Sequence, residues 1–154
     1  MPDRGGEDDT LMWSVRAHVY RALAESGASP SVDAIAQDLG RPRGLVTQAL
    51  EGLAALRALA LDPNTGEVWM AHPFSAVETR FVVTTSLRSY YANCDWDAIS
   101  IPLLLGVDGF STTRCPQSGA GIRLEVSHGR LLPVEGVIRY PVPVGRFWDD
   151  IGFT

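Results

Sequence analysis

Residues 59–70 read LALDPNTGEVWM, and they mark the point where the patterning of the chain changes from helical to extended. Two apolar stretches, Leu59 to Leu61 and Val68 to Met70, flank a turn cluster that runs from Asp62 to Gly66. Apolar runs separated by Asp, Pro, Asn and Gly are typical of two strands joined by a tight turn. The stretch therefore predicts a β-hairpin in the first half of the chain.

Three helices are predicted upstream of this hairpin. Thr10 and Ser31 are suited to cap the first and second helices, Gly40 to end the second, and Pro42 to open the third. Apolar residues recur at helical spacing in each: Leu11, Val15, Val19 and Leu23; then Val32, Ile35, Ala36 and Leu39; then Leu45, Ala49, Leu53 and Leu56. Three helices followed by a hairpin predict a winged-helix-like lobe.

The downstream half is predicted to contain three strands and one helix. The strands are Thr79 to Leu87, Gly121 to Val126 and Leu131 to Tyr140, and the helix is Asn93 to Leu105. We therefore divide the chain into a helical lobe, residues 10–72, and a second lobe, residues 73–154. Residues 1–9 are polar and lack an apolar anchor, so they predict a frayed start.

Composition and charge restrict the classes of function. The net charge is −5, which argues against general nucleic-acid binding. The first nine residues lack the apolar core of a signal peptide. The longest apolar run, Ile101 to Val107, is too short to span a membrane and contains Pro102 and Gly106. We expect a cytoplasmic protein with no membrane contact, in which both cysteines, Cys94 and Cys115, are reduced.

Residues 91–102, YANCDWDAISIP, form the segment most suited to chemistry. Asn93 is a good N-cap, which would place Cys94 in the first helical turn, where the helix dipole should lower its pKa. Asp97 lies three residues further on the same face, so one turn would hold a nucleophile and a proton relay. We expect Cys94 to be the more reactive thiol. The alternative is a buried cysteine that acts only as a small apolar residue.

The pattern Cys94-x-x-Asp97, followed by Pro102, Leu104 and Gly106, resembles the catalytic segment of the organomercurial (alkylmercury) lyases. The resemblance implies an α+β fold in which the helical lobe packs on a mixed, largely antiparallel sheet. It also implies protonolysis of a carbon–mercury bond, with Cys94 as the mercury-binding thiolate and Asp97 as the proton relay. The partner would be a small organomercurial or a soft-metal ligand, Hg(II) would be the product, and no organic cofactor would be required.

The resemblance has one departure, which concerns a second cysteine. The family's second catalytic cysteine follows a segment that resembles residues 147–154, where this sequence ends. The resemblance thus implies either a truncated chain or a homologue without that thiol. Cys115 matches a different, non-catalytic family cysteine. Cys115 is a possible second metal ligand, although we expect it not to lie beside Cys94, because it follows a separate strand.

Two other functions remain open. The first is a non-catalytic or repurposed homologue that binds Hg(II) or another soft metal through thiols. The second is a winged-helix transcription regulator, in which Arg41, Arg43 and Arg57 would contact phosphates, although Glu51 shares their helix and the chain is acidic. The three histidines, His18, His72 and His128, are interpreted as structural or solvated residues.

Overall fold

The computed structural model describes the backbone of residues 4–153 and the side chains of residues 9–153. Three helices open the chain: α1 (Arg4–Ser26), α2 (Val32–Leu39) and α3 (Arg43–Ala55). Helix α1 begins at Arg4 rather than after the expected cap at Thr10, so residues 4–9 are helical where a frayed start was expected. Residues 1–3 of that expected segment lie outside the described part.

The termini of α2 follow the predicted capping chemistry. The Ser31 hydroxyl accepts a hydrogen bond from the Ala34 amide, and Gly40 ends the helix with φ of 60°. A left-handed residue at this position favours glycine, because other residues meet a Cβ clash there. Both predicted ends of α2 are therefore confirmed.

The predicted hairpin is confirmed as part of a three-stranded antiparallel sheet. Its strands are β1 (Ala60–Leu61), β2 (Val68–Ala71) and β3 (Phe74–Ser75). The Asp62 carboxylate accepts hydrogen bonds from the Asn64 and Thr65 amides at 2.7 and 3.0 Å, which closes the turn. The pairing of β2 with β3 continues this sheet across the predicted boundary at 72/73. The division into two lobes, and the winged-helix identity of the first, stay predictions.

A second sheet and the fourth helix follow between Val82 and Leu131. The strands are β4 (Val82–Thr85), β5 (Ser89–Tyr91), β6 (Gly109–Arg114), β7 (Gly121–Ser127) and β8 (Arg130–Leu131), and the helix is α4 (Asp95–Leu105), between β5 and β6. The strand order is β5-β4-β6-β7-β8. Every strand pairing within residues 4–153 is antiparallel, so the expectation of a mixed sheet is wrong in that detail.

The prediction of a strand from Leu131 to Tyr140 is wrong after Leu131, where β8 ends. Within that stretch only Leu131, the last residue of β8, pairs with β7. The chain then continues without a strand to a 3-10 helix, Val144–Asp149. Pro133 removes a backbone donor that a ladder needs, and Gly136 has φ of 135°, outside the strand region. The strand expected at 79–87 is also shorter, since β4 covers only Val82–Thr85.

One hydrophobic core joins the helices to both sheets. Val19 and Leu23 of α1, Phe74 of β3, Val83 of β4 and Ile101 of α4 belong to one buried cluster. The architecture is α+β, as the sequence analysis expected. Among the described residues, no helix is both long enough and apolar enough to span a bilayer.

Candidate functional site

A cavity of about 500 Å³ opens where the start of α4 faces the end of β2 and the C-terminal tail. Its walls are formed by Met70, His72, Arg80, Phe81 and residues 93–97, 138–141, 147–148 and 151–153. Both predicted site residues, Cys94 and Asp97, line it. The sequence segment selected for its chemistry therefore forms one wall of a cavity large enough for a small organic ligand.

Cys94 is itself the N-cap of α4, and not a residue of its first turn as expected with Asn93 as the cap. Its backbone is extended, and its Sγ accepts a hydrogen bond from the Asp97 amide at 3.4 Å. The negative charge of the Asp97 carboxyl group acts on the same thiol, and both residues line the cavity. The helix thus begins one residue late, but the thiol and the carboxyl group are adjacent as the three-residue spacing predicted.

The pKa of Cys94 moves in the direction opposite to our expectation. Burial of the thiol and the neighbouring charge of Asp97 raise the pKa of Cys94 to about 11, although the Asp97 and Trp96 amides oppose the rise. The expectation of a lowered pKa is wrong, because removing a thiolate from water outweighs the helix-terminal donors. Cys94 is therefore a protonated thiol at neutral pH.

Asn93 connects the start of α4 to β3. Its Nδ2 donates hydrogen bonds to the backbone carbonyls of Phe74 at 3.2 Å and Pro73 at 3.4 Å. A β-bridge between Phe74 and Ala92 supports the same junction. Asn93 was expected to cap the helix, and it instead holds the segment before Cys94 against the first sheet.

His72 is a residue of the site that the sequence analysis did not select. Its Nδ1 lies 3.4 Å from Asp97 Oδ2 and 3.3 Å from Asn93 Nδ2. Its ring meets the edge of Trp148 at a centroid distance of 6.1 Å. No periodicity or spacing signals a contact between residues 25 positions apart. The structure places this histidine in the cavity wall beside Asp97, a position that its interpretation as a structural or solvated residue did not predict.

The C-terminal tail contributes a phenol to the same cavity. Burial, followed by the charges of Cys94 and Asp97, raises the pKa of Tyr140. Tyr140 packs on Phe147 with a centroid distance of 4.9 Å. Tail residues 138–141, 147–148 and 151–153 therefore complete the cavity wall, although part of this tail was expected to form a strand.

Cys115 lies elsewhere in the second sheet. It occupies the turn between β6 and β7, where its amide donates to the Ala120 carbonyl at 2.9 Å. The Ser118 hydroxyl, followed by the Ser118 and Gln117 amides, lowers the pKa of Cys115. Cys115 does not line the cavity. Within the described residues, no group of three or more His, Cys, Asp or Glu side chains is arranged to hold a metal ion.

The geometry allows a proton to move between a thiol and a carboxyl group inside a partly apolar cavity. A thiolate formed there would have a high pKa and therefore a strong tendency to donate its electron pair. Soft metal ions prefer such a ligand to oxygen or nitrogen. The side chain of Asp97 is only 13% exposed, so proton exchange with solvent is restricted.

The chain is similar in sequence and in fold to known proteins. The alkylmercury lyase family model matches residues 74–153. An alkylmercury lyase of Staphylococcus epidermidis is 29% identical over 130 residues, which cover 84% of this chain and 57% of that protein. A solved structure of the mercury-bound form of MerB2 superimposes with a TM-score of 0.62 at 16% identity, covering 82% of this chain and 64% of the other. The present chain thus spans less than two thirds of the length of these relatives. It belongs to the alkylmercury lyase family.

Proposed function

We propose that this protein cleaves carbon–mercury bonds of small organomercurials by protonolysis. The observation that carries the proposal is that Cys94 and Asp97 line one cavity, with the Asp97 amide donating a hydrogen bond to Cys94 Sγ at 3.4 Å. A soft nucleophile and a proton carrier are the two groups that this reaction requires. Membership of the alkylmercury lyase family supports the choice of mercury as the metal.

In the first step an organomercury cation, RHg⁺, enters with a weakly held ligand. Sγ of Cys94 forms a bond to mercury, and the weak ligand leaves. The thiol proton passes to the carboxylate of Asp97, whose backbone amide contacts Sγ at 3.4 Å. The raised pKa of Cys94 means that this proton is present at neutral pH and becomes available when mercury binds.

In the second step Asp97 returns that proton to the substrate carbon. The carbon–mercury bond breaks, its electron pair forms the new carbon–hydrogen bond, and the hydrocarbon RH leaves. Hg(II) remains on the Cys94 thiolate, and Asp97 is again a carboxylate. Thiolate donation to mercury increases the electron density on the bound carbon, which makes the carbon easier to protonate.

A second thiolate is needed to complete the linear coordination that Hg(II) prefers. Among the described residues, Cys94 is the cysteine that lines the cavity. We propose that a small thiol from solution takes the second position and removes Hg(II), so turnover without added thiol is slow or absent. A reducing cytoplasm would supply such thiols. No organic cofactor takes part in this scheme.

The experiment is benzene release from phenylmercury, measured by gas chromatography with and without a small thiol. We expect multiple turnovers only with added thiol, loss of turnover in Cys94→Ser, and unchanged turnover in Cys115→Ser. Rapid turnover without thiol that survives Cys115→Ser would show that one protein cysteine suffices. Turnover that is lost in Cys115→Ser would instead place Cys115 in the catalytic set.

A second candidate function is storage or transfer of Hg(II) or another soft metal without bond cleavage. The observation that favours it is that, among the described residues, Cys94 is the one cysteine in the cavity wall, whereas Hg(II) prefers two thiolates. This candidate predicts a stable organomercury adduct on Cys94 and no benzene release, even with excess small thiol. The same assay therefore separates the two functions.

A further inference from the structure

His72 is held in the cavity wall from several sides. Its backbone carbonyl accepts a hydrogen bond from the Tyr20 hydroxyl at 2.9 Å, which ties the residue to α1. Its ring rests against the edge of Trp148. The Nδ1 atom is left facing Asp97 Oδ2 at 3.4 Å. The imidazole therefore has a restricted position, with one nitrogen directed at the proposed proton carrier.

The direction of the hydrogen bond at Nδ1 follows from the atoms that face it. Asn93 Nδ2 has two hydrogens and three acceptors in reach: the Phe74 carbonyl at 3.2 Å, His72 Nδ1 at 3.3 Å and the Pro73 carbonyl at 3.4 Å. The two carbonyls can accept both hydrogens, and they fix the orientation of the amide, because its oxygen would be repelled there. Asp97 Oδ2, as a carboxylate oxygen, can only accept, so a proton on Nδ1 satisfies their contact at 3.4 Å, whereas a lone pair on Nδ1 would repel that oxygen.

We propose that His72 is a positioning residue for the lyase reaction, in which its Nδ1–H donates a hydrogen bond to Asp97 Oδ2. This inference rests on the proposed function, because it assigns Asp97 the proton-carrying role. The bond holds the carboxyl group toward Cys94 and stabilises the carboxylate that forms when Asp97 gives its proton to carbon. A donor aimed at charge that develops during a step lowers the barrier of that step.

The test compares two amide replacements of similar polarity. Asparagine at position 72 places an amide nitrogen close to the position of Nδ1, whereas the longer glutamine places it close to that of Nε2. We expect His72→Asn to retain most of the benzene release and His72→Gln to lose about tenfold to a hundredfold in kcat, the range for one charge-assisted hydrogen bond. Both variants remove the imidazole ring that contacts Trp148, so any loss of activity caused by that contact is the same in the two variants.

A matched control is His18→Gln. His18 pairs with Asp38 at 3.2 Å on the helical side of the molecule, and it does not line the cavity. We expect wild-type rates for this variant. Equal loss in His72→Asn and His72→Gln would show that packing, and not donation from Nδ1, explains the effect, and the proposal would be wrong. Full activity in both variants would also overturn it.

A second measurement does not depend on lyase activity. In ¹⁵N-labelled protein, the long-range histidine spectrum reports which ring nitrogen carries a proton, and the chain has only three histidines to assign. We expect His72 Nδ1 to be protonated in the wild type and to lose that preference in Asp97→Ala. A wild-type His72 protonated only at Nε2 would refute the hydrogen bond. Absence of benzene release in the wild type, with Nδ1 protonated, would refute only the proposed function.

Discussion

The pH dependence of Cys94 alkylation tests the electrostatics of the site. Burial and the Asp97 charge raise the pKa of Cys94 from its ordinary value of 9.0 to about 11, whereas hydrogen bonds lower the pKa of Cys115. The thiolate is the reacting species. We therefore expect iodoacetamide to modify Cys115 faster than Cys94 near pH 8, which reverses the order expected from the sequence.

The magnitude follows from the two pKa values. At pH 8 a thiol with a pKa of about 11 is ionised in about one molecule in a thousand, against about one in ten for a pKa of 9.0. The more basic thiolate is the better nucleophile, and a Brønsted slope of about 0.4–0.5 recovers roughly tenfold over two pKa units. Cys94 should then react roughly tenfold more slowly than an ordinary thiol at pH 8.

The assay measures iodoacetamide rates from pH 6 to 12 in Cys115→Ser, which isolates Cys94, and in Cys94→Ser, which isolates Cys115. The rate of Cys94 should still rise above pH 10. Replacing Asp97 with asparagine should move the midpoint down only partly, because burial is the larger cause. A midpoint below 9 for Cys94 would refute the argument from burial and restore the helix-dipole prediction.

Three further results are expected. The raised pKa of Cys94 means that the folded protein keeps a proton that the unfolded chain loses between pH 9 and pH 11. The free energy of unfolding, measured by urea titration, should therefore fall over this pH range, and it should fall less steeply with pH in Cys94→Ala. Phe74→Ala should lower the free energy of unfolding by about 3–5 kcal/mol, since the Phe74 ring is buried with its centroid 5.6 Å from that of Tyr90. Val137→Ala, at a site that is 93% exposed, should change it by less than about 0.5 kcal/mol. Similar values for the two variants would contradict the assignment of Phe74 to the core. With a net charge of −5, the chain should show no sequence-specific DNA binding by fluorescence anisotropy at low salt. Salt-sensitive binding with a Kd below about 1 µM, tighter than the usual non-specific range, would revive the regulator hypothesis.

Local chemistry explains which parts of the fold could be predicted. The Ser31 cap, the Gly40 stop and the turn at Asp62 each depend on atoms within a few residues, and each was predicted. The proximity of Cys94 to Asp97 belongs to the same class, because a helix start brings residues three apart together. These features need no knowledge of the tertiary structure.

Features that depend on distant packing could not be predicted from the residues alone. His72 meets a carboxyl group 25 positions away, and its carbonyl meets a hydroxyl 52 positions away. The burial that raises the pKa of Cys94 likewise depends on surroundings that local sequence does not indicate. The apolar residues between Leu131 and Tyr140 suggested a strand, but Pro133 and Gly136 interrupt the ladder, and the tail forms a cavity wall instead.

A single-turnover experiment tests the central claim, that Cys94 binds the organomercurial and Asp97 protonates its carbon. Phenylmercury is mixed with an equal amount of protein, the adduct is measured by intact mass, and benzene is measured in the headspace. All variants carry Cys115→Ser, so that Cys94 is the one thiol that can bind phenylmercury. We expect the adduct and then benzene in Cys115→Ser alone, the adduct without benzene when Asp97→Asn is added, and neither when Cys94→Ser is added. Benzene release by Asp97→Asn at the wild-type rate would contradict the account, because the proton would then come from another group.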